Sequence, residues 1–419
     1  MQRAEEIANC PECGHQIRVD RRYVTWCDKC DWNVDPTPRE DHTPPWRLRL
    51  EQRLAESLFR ELETGKIHRP GWDAARIGAH LLSALILLLP LIAFLAGVAL
   101  IAFYRPLWLS GMLALLAFGL AFLFHPRAAR LQEDAQPVPR DEAPTLYAVL
   151  DELADAIGTR RVSAVVVSTE ANLWYQQIGW RFRPVVGIGL PLWAGLRPQE
   201  RIAVLAHEFG HGRHGDARSG WVLGGAWSVL QELNETFSEG HGDRIRRELG
   251  YDEATGATMV SRMLNATVGI VVRGVAWLLE RLAFRGSQRA EYLADRKAGE
   301  IAGSEATAQA LERLVLADAS YRALERALRF PTGIDPLEAV RREVTEVPAR
   351  EIERQLRVSR LREARTDTTH PPTYLRTRLI RSRPATTARF VLGIDRSRAI
   401  DNELQPAATK ALAELRAAL

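Results

Sequence analysis

Two long apolar runs dominate the hydrophobic profile of the chain. Ile77 to Tyr104 is almost free of polar residues, with Pro90 as the expected kink, and Leu107 to Phe124 forms a second run. Each is long enough to cross a hydrocarbon core about 30 Å thick. The intervening "YRP" leaves room only for a tight connection, so the pattern predicts a two-helix transmembrane hairpin over 77–125. Two further apolar segments, 219–237 and 264–284, are interrupted by Glu232, Glu235 and Arg273. Charges at mid-membrane are costly, so these segments read either as further spans or as amphipathic helices lying on the bilayer or on the protein. Shorter periodicities complete the profile. "RLRLEQRLAESLFRELETG" before the first run reads as an amphipathic helix, and "SAVVVS" (163–168) and "PVVGIGL" (184–190) read as strands. From Pro198 onward Ile202, Leu205, Ala206 and Phe209 recur at helical spacing. Residues 287–300, "SQRAEYLADRKAGE", read as another helix, and residues 385–419 as a solvent-facing helical tail.

Charge narrows the classes of partner. The 56 basic and 52 acidic residues leave a net charge of only +4, too mild to argue for nucleic acid. Basic residues flank the hairpin: Lys66, Arg69 and Arg76 before it, Arg127 and Arg130 after it, with only Arg105 in the turn. By the positive-inside rule both flanks are cytoplasmic. The expected location is the cell membrane, multi-pass, with the lipid bilayer as a partner.

All four cysteines lie in the first 30 residues as "CPEC" and "CDKC". Cys10, Cys13, Cys27 and Cys30 have the spacing of a zinc ribbon over residues 1–35. A module this small buries too little core to fold alone, so a structural zinc site would stabilise it. Two disulfides or a redox pair are the alternatives, and the reducing side of the membrane favours zinc. The partner of the ribbon is open; Trp26, Trp32 and several arginines suit protein or nucleic acid alike. The proline-rich "DPTPREDHTPPW" (35–46) ends the module, and residues 36–76 form a linker and the amphipathic helix.

The segment "LAHEFGHGRHGD" (205–216) carries the chemistry. On a helix His207 and His211 stand one above the other on one face, where both reach a single tetrahedral zinc ion. Glu208 is turned about 100° away, close enough to act as general base on a water without ligating the metal. Ala217 stands where a metzincin would place a third histidine, so the remaining ligand comes from elsewhere. On the helix over 287–300, Glu291 and Asp295 share a face at i, i+4. Glu291 could ligate while Asp295 fixes the tautomer of a ligand histidine.

With "THPPTYLRTRL" (369–379), these motifs resemble the HtpX and CAAX prenyl endopeptidase family over roughly residues 140–380, in the family's order. The resemblance implies an integral-membrane zinc endopeptidase of gluzincin type. His207, His211 and Glu291 match the zinc ligands, Glu208 the catalytic base, and Asp295 the aspartate supporting a ligand histidine. His370 and Arg376 match a family pair implied to contact substrate or oxyanion. Asn172 matches the family's Asn-Ala-Phe segment, whereas Leu173 and Trp174 depart from it. In a gluzincin the strand nearest the zinc lends its edge to an extended substrate, so a protein or peptide would bind as an added β-strand.

The expected molecule is a mostly α membrane protein: a helical transmembrane hairpin, an α+β gluzincin-type metalloprotease domain over 140–384 and a small zinc ribbon. It would hold two zinc ions, one catalytic and one structural, and act as an endopeptidase on misfolded, membrane-associated or regulatory proteins. CAAX substrates fit less well, because the chain lacks the many spans of that branch. The competing reading is a non-proteolytic membrane scaffold or sensor working through its ribbon, against which the intact Glu208 argues.

Overall fold

Near-continuous valine and isoleucine in 164–168 and 183–189 suit strands buried on both faces, and these segments form the centre of a four-stranded sheet. The computed structural model describes residues 6–37, 45–65, 74–126, 135–179, 181–213, 216–237, 256–362 and 370–419. It divides into two compact units.

The first unit comprises residues 1–69, 131–214 and 287–419. Its sheet runs in the order β3 (Gln136–Val138), β4 (Ala164–Ser168), β6 (Arg183–Gly189), β5 (Leu173–Ile178). The β4–β6 pair is parallel and the other two pairs are antiparallel. Against it lie α4 (Pro144–Ile157), α5 (Leu190–Gly195), α6 (Pro198–Arg213) and later helices, around one large apolar core. The expected strands coincide with β4 and β6, whereas β5 lies in a stretch with no strand expectation. The buried Tyr147 hydroxyl donates to the Val138 carbonyl at 2.8 Å and accepts from the Val165 amide at 2.9 Å, stitching α4 to two strands.

The second zinc motif lies on a long helix, and several more helices follow it. The 47-residue α8 (Gly256–Ala302) contributes its C-terminal part to this unit, followed by α9 (Ser304–Leu314), α10 (Ala317–Arg329) and α11 (Pro336–Glu346). Then come α12 (Ala349–Arg362), α13 (Thr373–Arg381) and α14 (Ile394–Ala418). The expected amphipathic helix is α1 (Pro45–Thr64); its Leu58, Phe59 and Leu62 pack with Tyr292, Leu293, Leu375 and Leu379. The linker residues 38–44 and 66–73 lie outside the described residues.

The expectation of a solvent-facing C-terminal tail is corrected by α14. Ile400, Leu404, Ala408 and Ala411 belong to the main core, and Glu403 caps α4 by accepting from the amides of Thr145 and Leu146, each at 2.9 Å. Asp401 accepts from Trp193 Nε1 and from Arg201 Nη1. The peptidase core therefore extends beyond residue 384.

The ribbon is a β1 (Glu6–Asn9), β2 (Gln16–Val19) antiparallel hairpin followed by the second cysteine knuckle. Cys10 and Cys30 sulfurs lie 3.6 Å apart, as do those of Cys13 and Cys27.

The second unit, residues 70–130 and 215–286, contains α2 (Ala74–Phe103), α3 (Leu107–Leu123), α7 (Asp216–Thr236) and the N-terminal part of α8. α2 and α3 pack tightly: a Cβ on Gly97 would fall 2.7 Å from the Phe118 ring, so only glycine admits that contact. Ala226, Val229, Leu230, Val272 and Leu279 pack against Ala79 and Ile86, so both interrupted apolar segments share a core with the hairpin helix. Other apolar side chains face outward; Leu81 is 67% and Phe122 74% exposed. Among the described residues one helix, α2, is long and apolar enough to cross a membrane, and α3 is a shorter apolar helix of 17 residues. Lys66, Arg69, Arg127 and Arg130, on which the sidedness argument rests, lie outside the described residues.

Removing the Tyr147 hydroxyl leaves a buried amide and a buried carbonyl short of a partner. Tyr147→Phe should destabilise the peptidase unit by about 1–3 kcal/mol in denaturant titrations of the purified protein.

Candidate metal centre

Helix α6 begins at Pro198, and its first turn is fixed by the buried Glu200, which accepts from the Arg197 amide at 2.8 Å. Its apolar stripe of Ile202, Ala203, Leu205, Ala206 and Phe209 is fully buried, which sets the rotation of the helix and sends His207 and His211 to one side. There α6 meets α8. An added Cβ on Gly210 would lie 3.1 Å from the Ala294 Cα, so glycine is what lets the two backbones come this close. Glu291, one turn before Ala294, then reaches both histidines.

The three expected ligand residues converge in a triangle. His207 Nε2 is 3.3 Å from His211 Nε2 and 3.3 Å from Glu291 Oε2, and His211 Nε2 is 3.3 Å from Glu291 Oε1. A tetrahedral zinc ion about 2.0–2.1 Å from each ligand requires edges of about 3.3–3.4 Å; the two histidine nitrogens meet that spacing, and each meets it with a different oxygen of Glu291, so the donor set suits the ion. The sulfur spacing in the ribbon, 3.6 Å, also approaches the value of about 3.8 Å set by zinc–sulfur bonds of about 2.3 Å. Both clusters are of metal-ligating composition.

Behind the triangle, His207 Nδ1 lies 2.9 Å from Asp295 Oδ1. Arg376 holds Asp295 in a two-point grip, Nη2 to Oδ1 at 2.7 Å and Nε to Oδ2 at 2.8 Å. Burial raises the Asp295 carboxyl, but the Arg376 charge and its hydrogen bonds outweigh that and hold it at about 2. Burial and Arg376 both oppose a proton on His207; hydrogen bonds to Asp295 and Glu291 prevail and push it up to about 10. Burial likewise opposes ionisation of Glu291, yet the surrounding imidazoles keep it well below the usual carboxylate range. The site is thus built to hold positive charge at the point where the ligand atoms converge.

The remaining expected residues divide. His370, half-exposed, places Nδ1 2.6 Å from Glu291 Oε2. Arg376 is only 4% exposed and spends Nε and Nη2 on Asp295, which makes it a support of His207, and it also lines the cavity beside the site. Thr369, before His370, and His214, after the α6 motif, lie outside the described residues.

Glu208 stands clear of the triangle. Its Oε2 accepts from the backbone amide of Tyr175 on β5 at 3.2 Å, a contact missed in the sequence. The pattern "LWYQQI" offered a weak strand signal there, and nothing local shows which edge of that strand is free. A cavity of about 470 Å³ opens beside His207, Glu208 and His370, with walls that include Leu192, Val204, Ala310 and Leu311.

Two histidines one turn apart, a glutamate between them and a carboxylate delivered by a later helix define a metalloprotease site. Residues 141–384 match peptidase family M48, more than half of the chain, and the chain belongs to that family. It is similar to a protease HtpX homolog of Persephonella marina, 27% identical over 201 residues, covering 47% of this chain and 65% of the relative. A protease HtpX homolog of Syntrophobacter fumaroxidans is 26% identical over 187 residues, covering 44% and 63%. The chain thus spans a little under two thirds of the length of the curated relatives it matches. No solved structure matches it.

Elemental analysis of purified protein checks the ligand triangle. Glu291→Ala should lose zinc relative to wild type. Gly210→Val should show the same loss with every ligand still present, because it drives α6 and α8 apart; unchanged zinc in either variant would remove that residue from the account.

Proposed function

We propose that the chain is a membrane-anchored, zinc-dependent endopeptidase acting on misfolded, membrane-associated or regulatory proteins. One observation carries the proposal: a carboxylate that is not needed as a ligand, Glu208, stands between the ligand triangle and the open edge of β5. β5 is the terminal strand of the sheet, and the Gly189 amide donates to the Asn172 carbonyl. The alternation of an antiparallel pair then turns the backbone groups of Leu173, Tyr175 and Gln177 away from β6, toward an incoming strand. An extended substrate segment adds there, and its scissile bond lies over His207 and Glu208.

Zinc at His207, His211 and Glu291 would supply Lewis acidity, polarising a carbonyl and acidifying a water. Glu208 takes the proton of the attacking water and passes it to the departing amine. His370, at the cavity wall, donates to the carbonyl oxygen as negative charge develops. Arg376 acts through Asp295, which fixes the His207 ring so that Nε2 faces the other ligands. The mostly apolar cavity takes an apolar side chain next to the scissile bond.

The membrane assignment rests on surface chemistry. Exposed leucines and phenylalanines along α2 and α3 would each forfeit about 25 cal/mol per Å² in water, whereas hydrocarbon accepts them. We infer that the two helices span the bilayer as a hairpin with both ends cytoplasmic, placing ribbon and peptidase on the reducing side.

Glu208→Gln should keep its zinc and its thermal stability while losing about 10²–10⁴ in rate on a casein or membrane-protein substrate. Wild-type cleavage by that variant would exclude Glu208 as the base. Ala317→Phe, which narrows the cavity from its wall, should suppress cleavage at large apolar residues relative to small ones, as read by mapping product termini.

A further inference from the structure

The ribbon has its own small core of Cys10, Ile17 and Cys27, against which Trp32 packs, yet its other tryptophan is buried elsewhere. Trp26 is 1% exposed, with the guanidinium carbons of Arg350 and Arg357 each 4.9 Å from its ring. Both arginines belong to α12. With Arg354 they sit at i, i+4 and i+7, a single helical face, and that whole face is spent on the ribbon. Arg350 Nη2 donates to the Trp26 carbonyl at 2.5 Å, Arg354 Nη1 to the Val34 carbonyl at 2.8 Å, and Arg357 Nη1 to the Asp28 carbonyl at 2.7 Å. Arg357 also pairs with Asp31 at 2.6 Å, and Arg362, at the end of the same helix, grips Asp35. These carbonyls lie on or beside the second cysteine knuckle, so their positions depend on whatever closes the four sulfurs.

The opposite side of α12 leads to the metal centre. Ser359 Oγ accepts from the Tyr374 amide at 3.0 Å, in the first turn of α13. α13 carries Arg376, which holds Asp295, and it follows directly on His370, which touches Glu291. On its other flank α13 packs on α1 through Leu375 and Leu379.

We propose that the ribbon is an internal brace of the peptidase, whose partner is α12 of its own chain. Closed by its metal, the second knuckle holds the arginine face of α12, and α12 sets α13 so that His370 and Arg376 meet the ligand triangle. Trp26, Arg354 and Arg357 are positioning residues. Metal loss at the four cysteines lowers turnover without removing the catalytic ion, so protease output follows the state of the ribbon.

The full-length protein tests this with Cys27→Ser, which opens the sulfur cluster, and Arg357→Gln, which touches no metal ligand. Hydrogen exchange should lose protection in residues 26–37, in α12 and in the first turn of α13, while α4 and α14 stay as protected as in wild type. Zinc content should fall from two to one in Cys27→Ser and stay at two in Arg357→Gln. Turnover should drop about tenfold in Cys27→Ser, and by a smaller factor in Arg357→Gln, with KM within about twofold; Arg357→Lys, which keeps the charge, should recover part of it. The kinetic arm rests on the peptidase reading, and the exchange and zinc arms do not. Wild-type protection in α12 and α13 of Arg357→Gln would overturn the brace, even if Cys27→Ser failed to fold. Unchanged turnover in a Cys27→Ser protein that had lost one zinc would do the same.

Discussion

The approach of α6 to α8 at Gly210 and Ala294 is the constraint on which the rest of the metal centre depends. Helix axes usually stand 8–10 Å apart, with side chains filling the interval. Here the contact is made by the two smallest residue types, and a glutamate one turn away reaches two imidazoles on the facing helix. Bringing these groups together buries two carboxylates, an arginine and a histidine, each of which would be prohibitive alone. They are tolerated because each is partnered: Asp295 by the charge of Arg376, Glu291 by the ring nitrogens of His207 and His211 at 3.3 Å. Removing one member of such a buried set costs about 3–5 kcal/mol, since the other is left uncompensated. The charge pattern and the close helix contact are therefore one solution, and neither is stable without the other.

The centre was largely legible in the sequence, for a geometric reason. A separation of four residues on a helix fixes relative position, so His207 with His211 and Glu291 with Asp295 carried their arrangement in their spacing. What local spacing cannot encode is which distant element supplies the next contact. The edge strand at 173–178 went unnoticed because Trp174, Tyr175, Gln176 and Gln177 alternate weakly, and its role comes from lying at the end of the sheet. The two-point grip of Arg376 on Asp295 was hidden for the same reason. The resemblance supplied the residue, and only the fold showed that its guanidinium is turned to support.

One misreading and one omission share a cause: side chains that look solvated or too small to matter. α14 seemed a surface tail because alanines such as Ala408 and Ala411 contribute little hydrophobicity, though they let the helix sit close against the core. The arginines of α12 drew no expectation from the sequence, though their stems and planar heads cover a tryptophan. In both cases neighbours distant in sequence decide burial. The apolar runs at 77–104 and 107–124, by contrast, became helices at nearly the expected residues, because a continuous run needs no distant partner to be recognised.

The placement of α14 also orders the events of synthesis. The helix caps α4 through Glu403 and completes the core around Trp193 and Arg201 through Asp401. Along this chain the ribbon precedes the apolar hairpin, and both precede the zinc motifs. Until residues 394–418 have emerged, the core that orients α6 lacks a wall. The nascent polypeptide therefore carries its protease chemistry in an unassembled state until its last helix is made.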